Sequence, residues 1–347
     1  MSLLLESLAH SWEPFVLVVG LLFIGHSAAH EGLFESVGQL CARVPGGDLS
    51  LFVVTMLAVA LVTATLNLDT AVVFMTPVAL EAARTRGVDE RAFLYGTILM
   101  VNAASLLLLG SNLTNMLVFA SQPARGSVVA SHMALPWVVS VVLSIALVAL
   151  AYRSTFRPRS SRASTDPISW SVGPGLVSTV LAVVAMLLLS HPALPILALG
   201  CSLEAYELVA RRRVRWGEVV RVASPVVVVP LFLLAVAVGW LSREWSAPTQ
   251  WLAHSGPMAT AFAAALTSLL INNLPAASLF AAGHVTHPYA LLIGLDLGPN
   301  AFVTGAMSTM LWLRIARANG ARPTIARFSA IGIPVAVITI LAATLVS

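Results

Sequence analysis

The chain is long, apolar and sparsely charged. Of its 347 residues, 58% are hydrophobic and 10% are charged, and the formal net charge is +4. Soluble domains contain about 45–50% apolar and about 25% charged residues, so this composition excludes a soluble enzyme, a nucleic-acid-binding domain and a disordered regulator. We therefore predict an all-α polytopic membrane protein, with length for roughly ten to twelve crossings at ~20 residues each.

Apolar segments succeed one another along the chain, separated by polar or proline-bearing stretches. They cover residues 14–40, 49–66, 71–83, 92–120, 127–151, 170–189, 193–210, 219–241, 256–271, 276–282, 288–313 and 328–345. Two neighbouring pairs, 49–66 with 71–83 and 256–271 with 276–282, are predicted to form helical hairpins. The other eight segments are predicted to cross the membrane.

The arginines indicate the orientation. If each segment crosses once and each hairpin returns to its starting side, seventeen of the 19 basic residues fall on one side, and only Arg125 and Arg243 fall on the other. Loops rich in Lys and Arg remain in the cytoplasm. We therefore predict a multi-pass protein of the cell membrane, with both termini outside and the arginine-rich loops in the cytoplasm.

The two halves of the chain resemble each other in their polar parts. Residues 95–117 align without gaps with 289–311 at an offset of 194, and each stretch follows an asparagine-bearing hairpin. The first hairpin is predicted to open to the cytoplasm and the second to the outside. Similar units in opposite orientation are typical of inverted-repeat secondary transporters. We therefore predict a first inverted repeat at 1–152, a basic cytoplasmic linker at 153–169 and a second inverted repeat at 170–347.

Polar breaks at membrane depth persist only where protein or a water-filled site surrounds the freed backbone groups. Two breaks are the hairpin tips, at 67–70 and 272–275, and two interrupt helices, around 102–115 and 296–309. We predict that they meet at the midplane and bind a small polar or charged solute. The alternative is that their side chains only hold helices together. The predicted solute and ion site comprises Asn67, Asp69, Thr70, Asn102, Ser105, Ser111, Asn112, Thr114, Asn115, Asn272, Asn273, Asp296, Gly298, Asn300, Ser308 and Thr309.

Two acids fall at these breaks, Asp69 and Asp296. A carboxylate at the bilayer centre costs about 2.5–3.5 kcal/mol on insertion scales, so acids in this position are usually functional. One acid in each half fits proton coupling, in which a carboxyl group takes up a proton in one state and releases it in another. The alternative is a static carboxylate that caps the N-terminus of a half-helix.

A third group of ionisable residues lies near the end of the first segment. His26 and His30 share a helix face at i and i+4, next to Glu31, and this spacing is compatible with a metal site. The end of a membrane segment explains the same residues without a metal, so no metal site is predicted. The sequence has no Gly-x4-Gly-Lys-Ser/Thr motif for nucleotide phosphates, and no cofactor is predicted.

Several motifs resemble those of a known family. In the first half they are residues 65–71 with Thr76 and Pro77, then 102–105 and 111–115. In the second half they are residues 272–275, 294–300 and 308–313. Together these motifs resemble the signature of arsenite efflux permeases, a family of the ion transporter superfamily. The resemblance extends over nearly the whole chain from about Val18.

The resemblance implies a scaffold domain, a mobile transport domain with two re-entrant hairpins and two interrupted helices, elevator-like alternating access and commonly a homodimer. Family members usually begin with two or three further helices, so the chain is expected to be an N-terminally shortened member. The first hairpin places a leucine between Asn67 and Asp69, whereas relatives typically place Asn and Asp side by side. This departure predicts a smaller role for Asp69 than for Asp296.

The predicted function is secondary active transport, namely proton-coupled efflux of arsenite, antimonite or a similar small inorganic solute across the lipid bilayer. Two alternatives on the same fold are a sodium/proton antiporter and a sodium-coupled anion transporter, so the coupling ion is H+ or Na+. A membrane scaffold without transport activity is the alternative from another class. No enzymatic activity and no nucleic-acid partner are expected.

Overall fold

The computed structural model describes residues 3–120, 124–156, 173–211, 214–283 and 285–347. In these ranges the regular elements are all helices, as hydrocarbon requires, because a helix satisfies its own backbone hydrogen bonds. Five helical segments among the described residues are long and apolar enough to cross a membrane. They are Ser7–His30, Asp48–Thr65, Gly126–Ala151, Trp216–Glu244 and Ile325–Leu345.

The first half forms seven α-helices in the described ranges. They are α1 (Leu3–His30), α2 (Leu33–Ala42), α3 (Asp48–Thr65), α4 (Leu68–Thr85), α5 (Glu90–Ala104), α6 (Leu113–Ala120) and α7 (Gly126–Ala151). The predicted single segment at 14–40 is two helices, so the prediction of continuity was wrong. Gly32 separates them in the left-handed region, with a φ of 81°, which glycine adopts without steric penalty.

The second half forms ten α-helices in the described ranges. They are α8 (Pro174–Leu188), α9 (Ala193–Val209), α10 (Trp216–Ala223), α11 (Pro225–Glu244), α12 (Ala247–Ala253), α13 (Pro257–Ile271), α14 (Asn273–Phe280), α15 (Pro288–Leu297), α16 (Met307–Ala318) and α17 (Ile325–Leu345). The predicted segment at 219–241 is split at Ser224, whose φ is 47°. The next residue is Pro225, and proline disfavours the helical conformation in the residue before it. Most of the predicted linker at 153–169 lies outside the described residues.

Both predicted hairpins are pairs of adjoining helices. α3 and α4 are joined at Leu66 and Asn67, and the Oδ1 of Asn67 accepts a hydrogen bond from the backbone N–H of Thr70 at 2.7 Å, which caps α4. α13 and α14 are joined at Asn272, whose φ is 76°. The Nδ2 of Asn272 donates to the carbonyl oxygen of Thr304 at 3.2 Å. This bond attaches the second hairpin to the stretch between α15 and α16.

Both predicted helix interruptions are present as well. α5 ends at Ala104 and α6 begins at Leu113, while α15 ends at Leu297 and α16 begins at Met307. The starts of α6 and α16 lie 194 residues apart, which is the offset that relates the two similar sequence stretches. Gly110 with polar neighbours in the first interruption, and Gly298 with Pro299 in the second, explain why neither helix continues.

The four helices that begin at the breaks pack in two pairs. α16 runs along α4, and α14 runs along α6, while α1 packs with α8, α9 and α11. Near the end of α4, the Nη1 of Arg84 donates to the carbonyl oxygen of Asn319, just after α16, at 2.8 Å. α4 and α16 therefore point in the same direction. The first turns of all four helices contain buried polar residues, so their N-termini lie inside the helical bundle.

Candidate functional site

Asp296, in the last turn of α15, is the centre of a first cluster of polar residues and is only 1% exposed. Its Oδ1 accepts hydrogen bonds from the Nδ2 of Asn112 and the Oγ1 of Thr114, both at 2.8 Å. Its Oδ2 accepts a hydrogen bond from the hydroxyl of Ser105 at 3.0 Å. Ser105 and Asn112 belong to the interruption between α5 and α6, and Thr114 lies in the first turn of α6. The acid of one half is therefore held by the interrupted helix of the other half.

The hydroxyl of Ser105 can serve both protonation states of Asp296. Its Oγ lies 3.0 Å from the Oδ2 of Asp296 and 2.9 Å from the carbonyl oxygen of Asn102, and a hydroxyl has a single proton to donate. When the carboxylate is ionised, Ser105 donates to Asp296. When a proton sits on the Oδ2, Asp296 donates it to Ser105, which then donates to the Asn102 carbonyl. The hydrogen bonds therefore persist with or without the proton.

Ser111 and Asn115 satisfy backbone carbonyls that the interruption frees. The Nδ2 of Asn115 donates to the carbonyl oxygens of Ser105 and Leu108 at 2.7 and 3.1 Å. The hydroxyl of Ser111 is 2.6 Å from the carbonyl oxygen of Leu108 and also contacts that of Ser105. Buried carbonyls without partners are costly, so these two side chains stabilise the interrupted conformation itself.

Asn102 and Asn300 connect the two interrupted helices. The Nδ2 of Asn102 donates to the Oδ1 of Asn300 at 2.9 Å, and the Nδ2 of Asn300 donates to the carbonyl oxygen of Leu99 at 3.3 Å. Gly298 lies against α13, where a Cβ atom at this position would be 2.6 Å from the Cα of Ala265. Glycine at 298 therefore permits the close approach of the second interruption to the second hairpin.

A second cluster of polar groups lies where α4 and α16 begin. In the part of the chain that the structure describes, the Oγ of Ser308, the Oγ1 of Thr309, the Oγ1 of Thr70 and the Nδ2 of Asn67 are buried without hydrogen-bond partners. Because α4 and α16 run in the same direction and meet near their C-terminal ends, the shorter α16 begins beside the second turn of α4. Buried polar groups normally have partners, so these four groups are free to bind a solute or water.

The remaining predicted residues lie outside these two clusters. Asp69, in the first turn of α4, is half-buried and has no hydrogen-bond partner within the described ranges, and it does not contact the Asp296 carboxylate. Asn272 is bound to the Thr304 carbonyl, and Asn273 is buried in the first turn of α14, which packs against α6. The predicted site residues thus occupy four places. Most belong to the first or the second cluster, Asp69 lies apart in the first turn of α4, and Asn272 and Asn273 lie at the tip of the second hairpin.

Among the buried polar residues that the predicted site leaves out, Thr76, Glu204 and Glu207 bear on function. Thr76 appears in the sequence analysis only as part of a motif, yet its hydroxyl is fully buried in α4 and has no partner within the described ranges. Glu204 and Glu207, in α9, are 3% and 1% exposed. Two acids three residues apart in an otherwise apolar helix are costly in hydrocarbon. Their presence in the apolar segment at 193–210 could therefore have indicated a functional role from the sequence alone.

Comparison with models of known protein families assigns the chain to a family. The model for the citrate transporter family, CitMHS, matches residues 4–307, which is most of the chain. The chain belongs to the citrate transporter family. Its relatives are membrane transporters and not enzymes, and the predicted multi-pass membrane protein is confirmed.

Two relatives named arsenical pump membrane protein also match over most of this chain. The arsenical pump membrane protein of Escherichia coli is 24% identical over 341 residues, covering 88% of this chain and 78% of the relative. The protein of the same name from Yersinia enterocolitica is 24% identical over 339 residues, with the same coverage. These matches confirm the predicted resemblance to arsenite efflux permeases for this member of the citrate transporter family.

A solved structure matches the fold. The crystal structure of the Alcanivorax borkumensis YdaH transporter superimposes with a TM-score of 0.60 at 18% sequence identity, covering 99% of this chain and 86% of that protein. At this identity the match concerns the fold alone. It confirms the predicted all-α polytopic transporter fold.

Proposed function

We propose that this transporter exports arsenite, antimonite or a similar small inorganic solute in exchange for protons. The observation that carries the proposal is the Asp296 carboxyl group, buried between the two interrupted helices and bonded to Ser105, Asn112 and Thr114. Proton exchange needs a group that has hydrogen-bond partners both with and without its proton. The Ser105 hydroxyl provides this for Asp296, since it can reverse its direction of donation.

The solute is proposed to bind at the second cluster, where α4 and α16 begin. Its free groups are the hydroxyls of Thr70, Ser308 and Thr309 and the amide of Asn67. Helix N-termini carry partial positive charge and attract anions or the oxygen atoms of a hydroxide. A trihydroxy metalloid or its anion has oxygens that accept from amides and hydroxyls. Proton and solute would then occupy neighbouring sites.

Alternating access is proposed to follow the division into inverted repeats at 1–152 and 170–347. Both hairpins are proposed to be re-entrant, with α1, α8, α9 and α11 as a scaffold against which the rest moves like an elevator. The termini are proposed to lie outside and the arginine-rich loops in the cytoplasm, in agreement with the distribution of basic residues. A homodimer is also proposed, because the resemblance to arsenite efflux permeases implies one.

Sodium-coupled anion transport is the second candidate, because the matching family model is described as a citrate transporter. The same free hydroxyls and helix N-termini would then bind a carboxylate. The Asp296 carboxylate would be a ligand for Na+, which prefers oxygen atoms, as other hard cations do.

Flux into proteoliposomes separates the two candidates and the sodium/proton antiporter. We expect uptake of antimonite or arsenite into inverted vesicles that depends on a pH gradient and not on Na+. Sodium-dependent citrate flux would support the second candidate, and sodium flux driven by pH without any solute would support the antiporter. Absence of all three fluxes, with the protein correctly folded and inserted, would leave only the inactive scaffold.

A further inference from the structure

The interface of α1 and α9 becomes polar near the end of α1. Earlier in both helices the contact is made at glycines, since a Cβ atom on Gly200 would lie 2.6 Å from the carbonyl oxygen of Gly20. One to two turns further along, His26 of α1 faces Glu204 of α9. The helices therefore run side by side in the same direction, and their apolar contact gives way to ionisable side chains.

Three of these side chains form a continuous hydrogen-bonded chain. The Nε2 of His30 lies 3.1 Å from the Nε2 of His26, and the Nδ1 of His26 lies 2.7 Å from the Oε1 of Glu204. Exposure falls along the chain, since His30 is exposed, the His26 side chain is 15% exposed and that of Glu204 is 4% exposed. The second oxygen of Glu204, Oε2, is buried without a partner in the described ranges.

One arrangement of protons satisfies both bonds with neutral imidazoles and an ionised Glu204. His26 carries its proton on Nδ1 and donates it to Glu204, so its Nε2 is an acceptor. His30 then carries its proton on Nε2 and donates it to His26. Both donations point from the surface toward the buried carboxylate, and the Nδ1 of His30 remains as an acceptor at the outer end.

The outer end opens into a cavity of about 330 Å³, lined by His26, His30, Glu218, Arg221 and Val222. This cavity lies at the start of α10, away from the breaks that hold Asp296. Its polar lining admits water to the imidazoles, and water can supply a proton to the exposed ring.

We propose that His30 and His26 form a proton relay that loads Glu204 from this cavity. A proton from water binds the Nδ1 of His30, the Nε2 proton of His30 moves to the Nε2 of His26, and the Nδ1 proton of His26 moves to the Oε1 of Glu204. One proton enters and Glu204 becomes a neutral acid, while both imidazoles end neutral in the other tautomer. Water in the cavity, which both rings line, then takes the Nδ1 proton of His30 and the Nε2 proton of His26 and returns one proton to the other nitrogen of each ring, which restores the starting tautomers.

Other charged groups surround the relay without interrupting it. On α9, Glu207 forms an ion pair with Arg211 at 3.1 Å, and Arg211 also pairs with Glu31 at 3.3 Å. Arg211 is thus engaged by two other carboxylates, and His26 is the ionisable partner of Glu204. Two more acidic or thiol groups are near, Glu218 at the cavity and Cys201 one turn before Glu204. Arg221, which also lines the cavity, pairs with Glu218 of the same helix at 3.9 Å.

A rapid drop in pH, produced by light from a caged proton, tests the relay in the full-length protein in lipid nanodiscs. Time-resolved infrared absorption follows the carbonyl stretch of newly protonated carboxyl groups. Glu204→Gln should remove one component of this signal. His30→Gln and His26→Gln should keep its amplitude and slow it by about a hundredfold, the lower end of what a positioned proton-transfer group contributes.

Two matched variants serve as controls. Glu207→Gln removes a buried acid one turn along α9 and should leave the Glu204 component in place. His132→Gln removes another histidine that bonds within its helix, through a contact to the Val128 carbonyl, and should leave the rate unchanged. A Glu204→Gln protein with the full signal, or a His30→Gln protein with the original rate, overturns the proposal. His30 is exposed, so its variant tests the relay even where Glu204→Gln does not fold. The signal needs no transported solute and is independent of the function proposed for Asp296.

Discussion

The carboxylate of Asp296 accepts a hydrogen bond from the amide of Asn112, which stands 184 residues earlier in the chain, at 2.8 Å. This contact joins the end of α15 to the start of α6, so each interrupted helix depends on the other for its polar partners. A change in the protonation of Asp296 therefore acts on the hydrogen bonds of both breaks.

Asp296→Asn should uncouple transport from the proton gradient. The variant keeps the shape and some hydrogen bonds but fixes the charge at zero, so it should retain solute exchange while losing accumulation against a gradient. Asp69→Asn should have the smaller effect, because Asp69 makes no hydrogen bond within the described ranges. Accumulation and exchange are measured separately in proteoliposomes at several pH values. Unchanged, pH-dependent accumulation by Asp296→Asn would assign the proton to another group.

Asn112→Ala should abolish coupled flux with little loss of folded protein. Side-chain hydrogen bonds between membrane helices contribute ~0.6 kcal/mol on average, which folding should survive. Asn319→Ala is the control, since it removes a bond to the Ile315 carbonyl at the end of α16, away from both clusters. Size-exclusion profiles report folding and proteoliposomes report flux. Normal flux in Asn112→Ala would mean that this asparagine only holds helices together.

Ser308→Ala should weaken solute binding without destabilising the protein. The Ser308 hydroxyl is buried without a partner in the described part of the chain, so folding loses no bond, whereas a bound solute loses one. One hydrogen bond corresponds to about 0.5–1.5 kcal/mol, and KM should rise about 2- to 12-fold. Ser144→Ala, which removes an equally buried and unpaired hydroxyl in α7, should leave KM unchanged. Equal KM values for the two variants would contradict a solute site at α16.

Gly332→Ala should destabilise the protein by about 1–3 kcal/mol, the usual cost of overpacking. A Cβ atom on Gly332, in α17, would lie 1.8 Å from the backbone carbonyl oxygen of Asn300, which the second interruption cannot easily move. Gly217→Ala has no atom within 4 Å of the new Cβ and should change little. Thermal unfolding is followed by a thiol-reactive dye that reaches buried Cys41, in a Cys201→Ser background. Equal midpoints for both variants would show that α17 can shift.

Single cysteines should report the predicted orientation. Thr85 and Thr286 are both exposed, and they follow the first hairpin and the second hairpin respectively. In a Cys41→Ser, Cys201→Ser background, a membrane-impermeant maleimide should label Thr286→Cys on intact cells and Thr85→Cys only in inverted vesicles. Labelling of both from the same side would overturn the opposite orientation of the repeats.

The positions of the breaks were predictable from the sequence, whereas their partners were not. Asparagine, glycine and proline within apolar segments interrupt helices for local reasons, and both interruptions and both hairpins occur where the sequence placed them. The contact of Asp296 with Thr114 spans 182 residues and depends on how whole helices pack, which local patterns do not encode. The break between α1 and α2 at Gly32 was not predicted, because apolar residues predominate on both sides of it and the sequence looks like one continuous segment.

Buried acids outside the breaks were missed for a different reason. A polar break marks Asp69 and Asp296 in the sequence, whereas Glu204 and Glu207 lie inside a regular helix without any break. Their three-residue spacing places both on one face of α9, and α1 supplies the matching polar face with His26. Pairing these two faces required the packing of α1 on α9, which the sequence alone did not indicate.

During synthesis, α5 and α6 leave the ribosome well before α15 does, because chains fold from the N-terminus as they are made. Until residue 296 has entered the membrane, the hydroxyls of Ser105 and Thr114 and the amide of Asn112 lack the acceptor that they share in the finished protein. The first half is therefore an incomplete insertion intermediate, because the buried donors of its interruption obtain their common acceptor only when α15 arrives.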